Sequence, residues 1–271
     1  MAKVIAIANQ KGGVGKTTTC INLSAYAALM GKKVLTIDMD PQGNCSTGLG
    51  VEKSALKASV YTALAGETSP AASVMRTRIE NLHILPSNID LAGAEIELVS
   101  VDDRERALKK IITALRADYD YIFIDCPPSL GLLTVNALTA ADSVLIPIQG
   151  EFFALEGLSQ LLNTLKLVTK ILNPSLKIEG VILTMYDGRS KLVQSVAEDI
   201  QKFFGKSVYT TRIPRNVRLG EAPSYGLPIA LYEPRSMGSI AYKGLTEEFF
   251  IRNKTTYEKI ADIGALKVKV K

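Results

Sequence analysis

Asn9-Gln10-Lys11-Gly12-Gly13-Val14-Gly15-Lys16-Thr17-Thr18 is the stretch whose reading decides the rest of the chain. The run ahead of it, Val4-Ile5-Ala6-Ile7-Ala8, is short and wholly apolar, as a buried strand is. Behind it, Cys20 to Met30 carries Ile21, Leu23, Ala27, Ala28 and Leu29 at helical spacing, and Gly31 ends the run. Strand, glycine-rich loop and helix together form the setting a phosphate cradle needs. Glycines let backbone N–H groups turn inward around phosphate oxygens, and the helix N-terminus adds a partial positive charge. Against the pattern G-x-x-x-x-G-K-[ST], Lys16 supplies the cation for the β- and γ-phosphates and the Thr17 hydroxyl a ligand for Mg²⁺. Gly12, Gly13, Val14, Gly15 and Thr18 complete the expected nucleotide-binding loop. The chain departs from that pattern in two places: Gln10 stands where the first glycine belongs, and Lys11 puts a second lysine at the mouth of the loop.

Composition bounds the rest. A chain of 271 residues, 47% hydrophobic and 22% charged, is long enough to bury a core without staples. Its three cysteines (Cys20, Cys45, Cys126) make no C-x-x-C pair, which predicts free thiols in a reducing cytoplasmic setting. The chain enters its first strand at residue 3, so neither a targeting segment nor an N-terminal DNA-reading domain is expected, and the apolar runs are strand-length rather than membrane-spanning. The net charge of +5 is unevenly placed: residues 1–188 hold 17 Lys/Arg against 19 Asp/Glu, whereas residues 189–271 hold 15 against 8. Such asymmetry is compatible with a polyanion-binding face or with solubility alone.

Taken in order, the chain alternates short apolar runs with helical patterns. Lys33 to Ile37 reads as a strand that delivers Asp38 and Asp40 at its carboxyl end, where ligands gather in open parallel sheets. Val60–Leu64, Ile89–Val99 and Arg104–Leu115 read as helices, Leu82–Pro86 as a strand, and Pro70 and the charged Arg76–Glu80 segment as loops. The single histidine, His83, reads as structural. Tyr121-Ile122-Phe123-Ile124-Asp125 has the form of a Walker B strand, an apolar run bringing one carboxylate to the Mg²⁺ end of the site, where it acts through a metal-bound water. Ser143–Ile148 and Ile178–Thr184 read as strands, Lys191–Phe204 as a helix, and Val208-Tyr209 as a further strand. In the helix from Ala154 to Leu172 the stripe Leu158, Leu161, Leu162, Leu165 and Val168 reads as core, or in part as an interface. Repeated strand–helix units without a hairpin signal predict an α/β fold: a doubly wound, largely parallel sheet with helices on both faces. With no linker or repeat, residues 1–271 read as a single domain, its core at about 3–250, followed by a basic tail.

K-G-G-V-G-K-T-T at Lys11–Thr18 resembles the deviant Walker A loop of the ParA/MinD ATPases, a class of P-loop NTPase. D-M-D-P-Q-G-N at Asp38–Asn44 and D-C-P-P-S-L-G at Asp125–Gly131 resemble the same family's motifs, and T-M-Y-D-G-R at Thr184–Arg189, I-P-R-N-V-R-L-G-E-A-P-S-Y-G at Ile213–Gly226 and Y-E-P-R-S at Tyr232–Ser236 are similar to the Soj-type chromosomal ParA proteins. The resemblance, which spans about residues 3–250, implies ATP and Mg²⁺ as cofactors. It implies that Lys11 crosses to the partner subunit's phosphate in an ATP-dependent homodimer. Asp40 would orient the attacking water, Asp38 would help hold the metal shell, and the Asp125 segment would sense the γ-phosphate. By the same resemblance Met185 and Pro214 lie at the adenine, and Arg189 and Arg218 contact DNA phosphates, with Arg215 and Arg235 as weaker candidates. A partition ATPase that grips double-stranded DNA without reading bases, and is reset by a ParB-type centromere-binding protein, is the function implied; no membrane partner is expected. Two other readings share the nucleotide loops. A MinD-type membrane-recruited positioner needs a C-terminal amphipathic helix, whereas the tail Gly264–Lys271 alternates. An iron–sulfur ATPase of the nitrogenase-reductase type needs paired cluster cysteines, and Cys126 has no partner in suitable context.

Overall fold

The strand-length apolar runs assemble into one sheet in the computed structural model, which describes residues 1–98, 102–151 and 154–260. Its strands are β1 (Lys3–Ile7), β2 (Val34–Asp38), β3 (Met75–Arg76), β4 (Leu82–Leu85), β5 (Tyr121–Asp125), β6 (Ser143–Gln149) and β7 (Lys177–Thr184), in the order β3-β4-β2-β5-β1-β6-β7. All neighbouring pairs are parallel except β3 with β4. The intervening helices are α1 (Lys16–Leu29), α2 (Asn44–Gly48), α3 (Val60–Leu64), α4 (Leu91–Glu97), α5 (Ala107–Leu115), α6 (Leu132–Ala140), α7 (Ala154–Ile171), α8 (Lys191–Phe204), α9 (Val217–Glu221), α10 (Ile229–Tyr232) and α11 (Met237–Arg252).

Why the strands read as unbroken apolar runs is visible in the core. Successive side chains of a strand point to opposite faces, and here both faces are covered. On β1, Val4 and Ala6 join one core cluster, with α5, α6 and α7, while Ile5 and Ile7 join the other, with α1 and α11. On β5 the same division separates Ile122 and Ile124 from Tyr121 and Phe123. Leu158, Leu161, Leu165 and Val168 of α7 are buried in the first cluster, and Leu162 packs against it, so the stripe is core. α1 is enclosed further by α11: the Tyr26 hydroxyl lies 2.6 Å from that of Ser239, and the Thr19 hydroxyl 3.1 Å from that of Tyr242.

Three local expectations change. The Arg76–Glu80 region does not begin as loop: Met75-Arg76 pairs antiparallel with β4, an exposed two-residue edge strand too short for periodicity to register. Val208-Tyr209 is not a strand; Val208 makes only a single parallel bridge, to Val181. α1 starts four residues earlier than its apolar pattern, at Lys16, because the phosphate loop itself supplies the first turn. Val99, at the end of one predicted helix, and the basic tail with its alternating run lie outside the described residues. His83 is structural, its Nδ1 2.9 Å from the Tyr119 hydroxyl.

Candidate functional site: a phosphate cradle at the carboxyl edge of the sheet

Parallel register brings the chemistry together. Ile7 is level with Asp125, and Asp125 is level with Asp38, so the phosphate loop and both strand-end carboxylates emerge side by side. Gly13 and Gly15 hold φ of 73° and 86°, the left-handed region that lets the loop fold inward, and Gly15 caps α1. Neighbouring strands tie the loop down. The Asn9 side-chain amide donates to the Pro147 carbonyl on β6 (2.7 Å), and the Thr184 hydroxyl at the end of β7 donates to the Val14 carbonyl (2.8 Å).

Above the loop opens a cleft of about 520 Å³. Gly12, Gly13, Gly15, Lys16, Thr17, Thr18 and Asp40 line one side, and Met185, Pro214 and Arg215 the other. Val14 is buried beneath it and contributes through its backbone. Met185 holds φ of 47°, unusual for a side chain of its size, and the next residue, Tyr186, bridges to Pro214, joining the two segments of the far wall. Lys16 is 6% exposed and donates to the Lys11 carbonyl (3.1 Å). Burial lowers its pKa, and the charge of Asp125 opposes that shift.

The carboxylates divide by partner. Asp38 is fully buried, and both its oxygens have protein donors: the Asp40 N–H (3.1 Å) on Oδ1, and the Ser46 N–H (2.8 Å) and hydroxyl (2.7 Å) on Oδ2. Burial nevertheless pushes its pKa up to about 6. Asp125 is equally buried, yet neither of its oxygens has a hydrogen-bond partner, and the Thr17 hydroxyl faces it without completing a normal bond. Burial, followed by the Asp38 charge, drives its pKa well up. A buried, unpartnered carboxylate beside a hydroxyl-bearing phosphate loop is what a hydrated divalent cation would satisfy, so the donor set fits Mg²⁺. Asp40 is 8% exposed, and its Oδ1 accepts from the Gln42 N–H (2.9 Å) while the residue faces the cleft. Gly43 (φ 62°) caps α2, and a Cβ there would stand 2.7 Å from the Ser87 carbonyl, so this turn requires glycine.

The remaining candidates are dispersed. Lys11 lies at the mouth, its ammonium paired with the Glu151 carboxylate. Arg189 is exposed and grips Asp187 through both Nε (2.9 Å) and Nη2 (2.8 Å), holding that carboxyl down at about 2. Arg218 on α9 pairs with Glu221 (2.7 Å), and Arg235, also exposed, precedes α11. Arg215 lines the nucleotide cleft rather than standing apart from it. Asn9, Ser46 and Thr184 are site residues that motif reading missed, and Glu151 stands outside the cleft lining, against Lys11. Thr184 alone carried a signal, the carboxyl-end position of its strand. Cys20, Cys45 and Cys126 are free and buried, with thiol pKa values raised by burial. No group of three or more His, Cys, Asp or Glu side chains placed to hold a metal ion together occurs among the described residues.

A parallel sheet whose central strand runs into a glycine cradle, flanked by strand-end carboxylates, defines a P-loop nucleoside-triphosphatase. The profile of the AAA domain family matches residues 2–178. The sporulation initiation inhibitor protein Soj of Bacillus subtilis is 57% identical over 248 residues, 92% of this chain and 98% of that protein. The chromosome partitioning protein ParA of Caulobacter vibrioides is 50% identical over 261 residues, 96% of this chain and 98% of the relative. Among solved structures, the septum site-determining protein MinD of Pyrococcus horikoshii, complexed with Mg-ADP, superposes with a TM-score of 0.76 at 31% identity, covering 92% of this chain and 96% of that one. The Mycobacterium smegmatis protein described as cobyrinic acid a,c-diamide synthase, with bound ADP and magnesium, gives 0.82 at 38% identity, covering 96% and 100%. The chain belongs to the Soj/ParA family of chromosome-partitioning ATPases, within the ParA/MinD group that carries the altered phosphate loop.

Proposed function

We propose that the protein is an ATP-driven DNA-partition switch. Lys16, Thr17 and the loop N–H groups bind the phosphates of ATP, and Thr17 with Asp125 holds the hydrated Mg²⁺. Met185 and Pro214 flank the adenine. The bound metal supplies charge neutralisation at the phosphates; Asp38 holds the Asp40 turn in place, and Asp40 orients the water that attacks. Two protomers close face to face with each Lys11 at the partner's phosphates. The paired basic surfaces, with Arg189 and Arg218 foremost, then hold double-stranded DNA through phosphates alone, a contact that carries no sequence information. A ParB-type partner stimulates hydrolysis and resets the cycle, and residues 1–271 act as one nucleoid-associated unit.

The observation that carries this reading is the unpartnered, fully buried Asp125 carboxylate beside the cradle, with Asp40 lining the same cleft. Among the described residues no helix is long and apolar enough to cross a membrane. The deciding experiment measures binding to unrelated DNA duplexes with ATP, with ADP and without nucleotide, alongside anionic liposomes. DNA binding confined to ATP, with none to liposomes, is expected. Nucleotide-independent DNA binding, or ATP-dependent recruitment to the liposomes, overturns it.

A further inference from the structure

Lys11 is held inside its own protomer at three separate atoms. Its N–H donates to Asn9 Oδ1 (3.1 Å), its carbonyl accepts from Lys16 Nζ (3.1 Å), and its ammonium pairs with Glu151. Two of these tethers lead to one element. Asn9 is bound to Pro147 within β6, and Glu151 stands two residues beyond that strand, turned back by its own N–H on the Gln149 carbonyl (2.8 Å). A Cβ on Gly157, in the first turn of α7, would be 3.9 Å from the Lys11 Cβ, so the lysine stem lies beside the start of α7. The third tether is the ammonium of Lys16, the group that serves the phosphates.

We propose that Glu151 is a positioning residue that restrains Lys11 in the resting protomer, and that nucleotide loading frees the lysine for dimerisation. This rests on the trans role given to Lys11 above. An anion in the cradle draws Lys16 Nζ away from the Lys11 carbonyl, which loosens the loop at the residue that must cross. The Glu151 pair is then the remaining restraint, and it opposes the crossing because one ammonium cannot serve the cis carboxylate and the partner's phosphate with full geometry. The pair is partly solvated, with side-chain exposures of 31% and 48%, so each contributes a bias of only about two- to threefold. A symmetric dimer breaks two such pairs, so their removal is worth about fivefold in the dimerisation constant. A restraint of that size biases the resting protomer toward the monomer without blocking the ATP state.

The test follows the monomer–dimer equilibrium by sedimentation with Mg²⁺ and a non-hydrolysable ATP analogue, for wild type, Glu151→Gln, Lys11→Ala and the double variant. Fluorescent-nucleotide titration at concentrations where the protein is monomeric runs in parallel. Glu151→Gln is expected to dimerise at about fivefold lower protein concentration, with unchanged monomer affinity for nucleotide, and the advantage should shrink as salt screens the wild-type pair. The double variant should behave as Lys11→Ala, without dimers. If Lys11→Ala abolishes dimers while Glu151→Gln dimerises as wild type or more weakly, the restraint is refuted and the trans role stands. If Lys11→Ala dimerises normally, the trans role is refuted and the restraint with it.

Discussion

Asp38, Asp40 and Asp125 lie within one strand-end cluster, and their hydrogen bonds give them different work. Asp38 accepts three bonds from its own chain and fixes the turn that carries Asp40. Asp125 accepts none and is left for a cation, whereas Asp40 looks into the cleft with an oxygen to spare for water. Replacing Asp40 with Ala leaves the phosphate cradle and Asp125 intact. Hydrolysis should therefore fall by about a hundredfold or more, while ATP binding survives. DNA binding should then outlast that of wild type after a limiting dose of ATP. Phosphate release in a single turnover checks this, and a wild-type rate removes Asp40 from the water-positioning role.

At the scale of elements, the loop is only as rigid as the strands that hold it. Thr184→Val keeps the shape of the side chain but removes the donor to the Val14 carbonyl, leaving that buried acceptor unpaired. A loss of about 1–3 kcal/mol in stability is expected, with weaker nucleotide binding, because the cradle loses its tie to β7. Urea titration and nucleotide titration measure the two effects, and wild-type values in both reject the tie. At the opposite edge of the sheet Glu179 on β7 accepts from Lys3 on β1 (2.5 Å), from the Ser143 hydroxyl (2.7 Å) and from Asn253 beyond α11 (2.8 Å). Burial alone would raise its pKa, but these donors outweigh it and hold the carboxyl below its ordinary 4.5. A depressed carboxylate stabilises the fold above its unfolded pKa and loses that contribution as pH falls through the folded value. Glu179→Gln should accordingly cost about 2 kcal/mol at neutral pH. The gap from wild type should close as the pH drops below about 4.5, and a gap constant with pH would mean the carboxylate charge is not what matters.

At the scale of the whole molecule, the features that a monomer does not need point to the assembly. A Cβ on Gly12 would meet nothing within 4 Å, so the single protomer has room for a side chain there. Gly12→Val should therefore fold and bind ATP as wild type does, yet fail to dimerise, because a branched side chain would stand between two closing loops. An ATP-induced dimer of normal stability in light scattering would show that the loops do not meet. The proposed DNA face is tempered by its own carboxylates: Asp187 occupies two donors of Arg189, and Glu221 one of Arg218. Arg189→Ala and Arg218→Ala should each weaken DNA binding equally on unrelated sequences, without affecting dimerisation. Each lost phosphate contact should flatten the salt dependence of log K by about 0.9. Because the dimer presents each arginine twice, one substitution removes two contacts. Unchanged affinity and slope in both variants would take these arginines off the DNA face.

The local part of this design was legible in the chain. The phosphate loop, the three strand-end carboxylates and the parallel α/β sheet follow from short-range rules: glycines where the backbone must turn inward, and apolar runs where strands are covered on both faces. The two-residue β3 escaped because so short an edge strand has no period to detect. Thr184 and Asn9 escaped because their partners, the carbonyls of Val14 and Pro147, are 170 and 138 residues away. Sequence order also says nothing of how carboxylates share donors. Asp38 and Asp125 each end an apolar run, and only the tertiary structure, with Ser46 folded back on one of them, gives the first its donors and leaves the second bare. The pairing of Lys11 with Glu151 is of the same kind. Charges 140 residues apart become neighbours because β6 lies beside β1, a fact of sheet order that no local pattern contains.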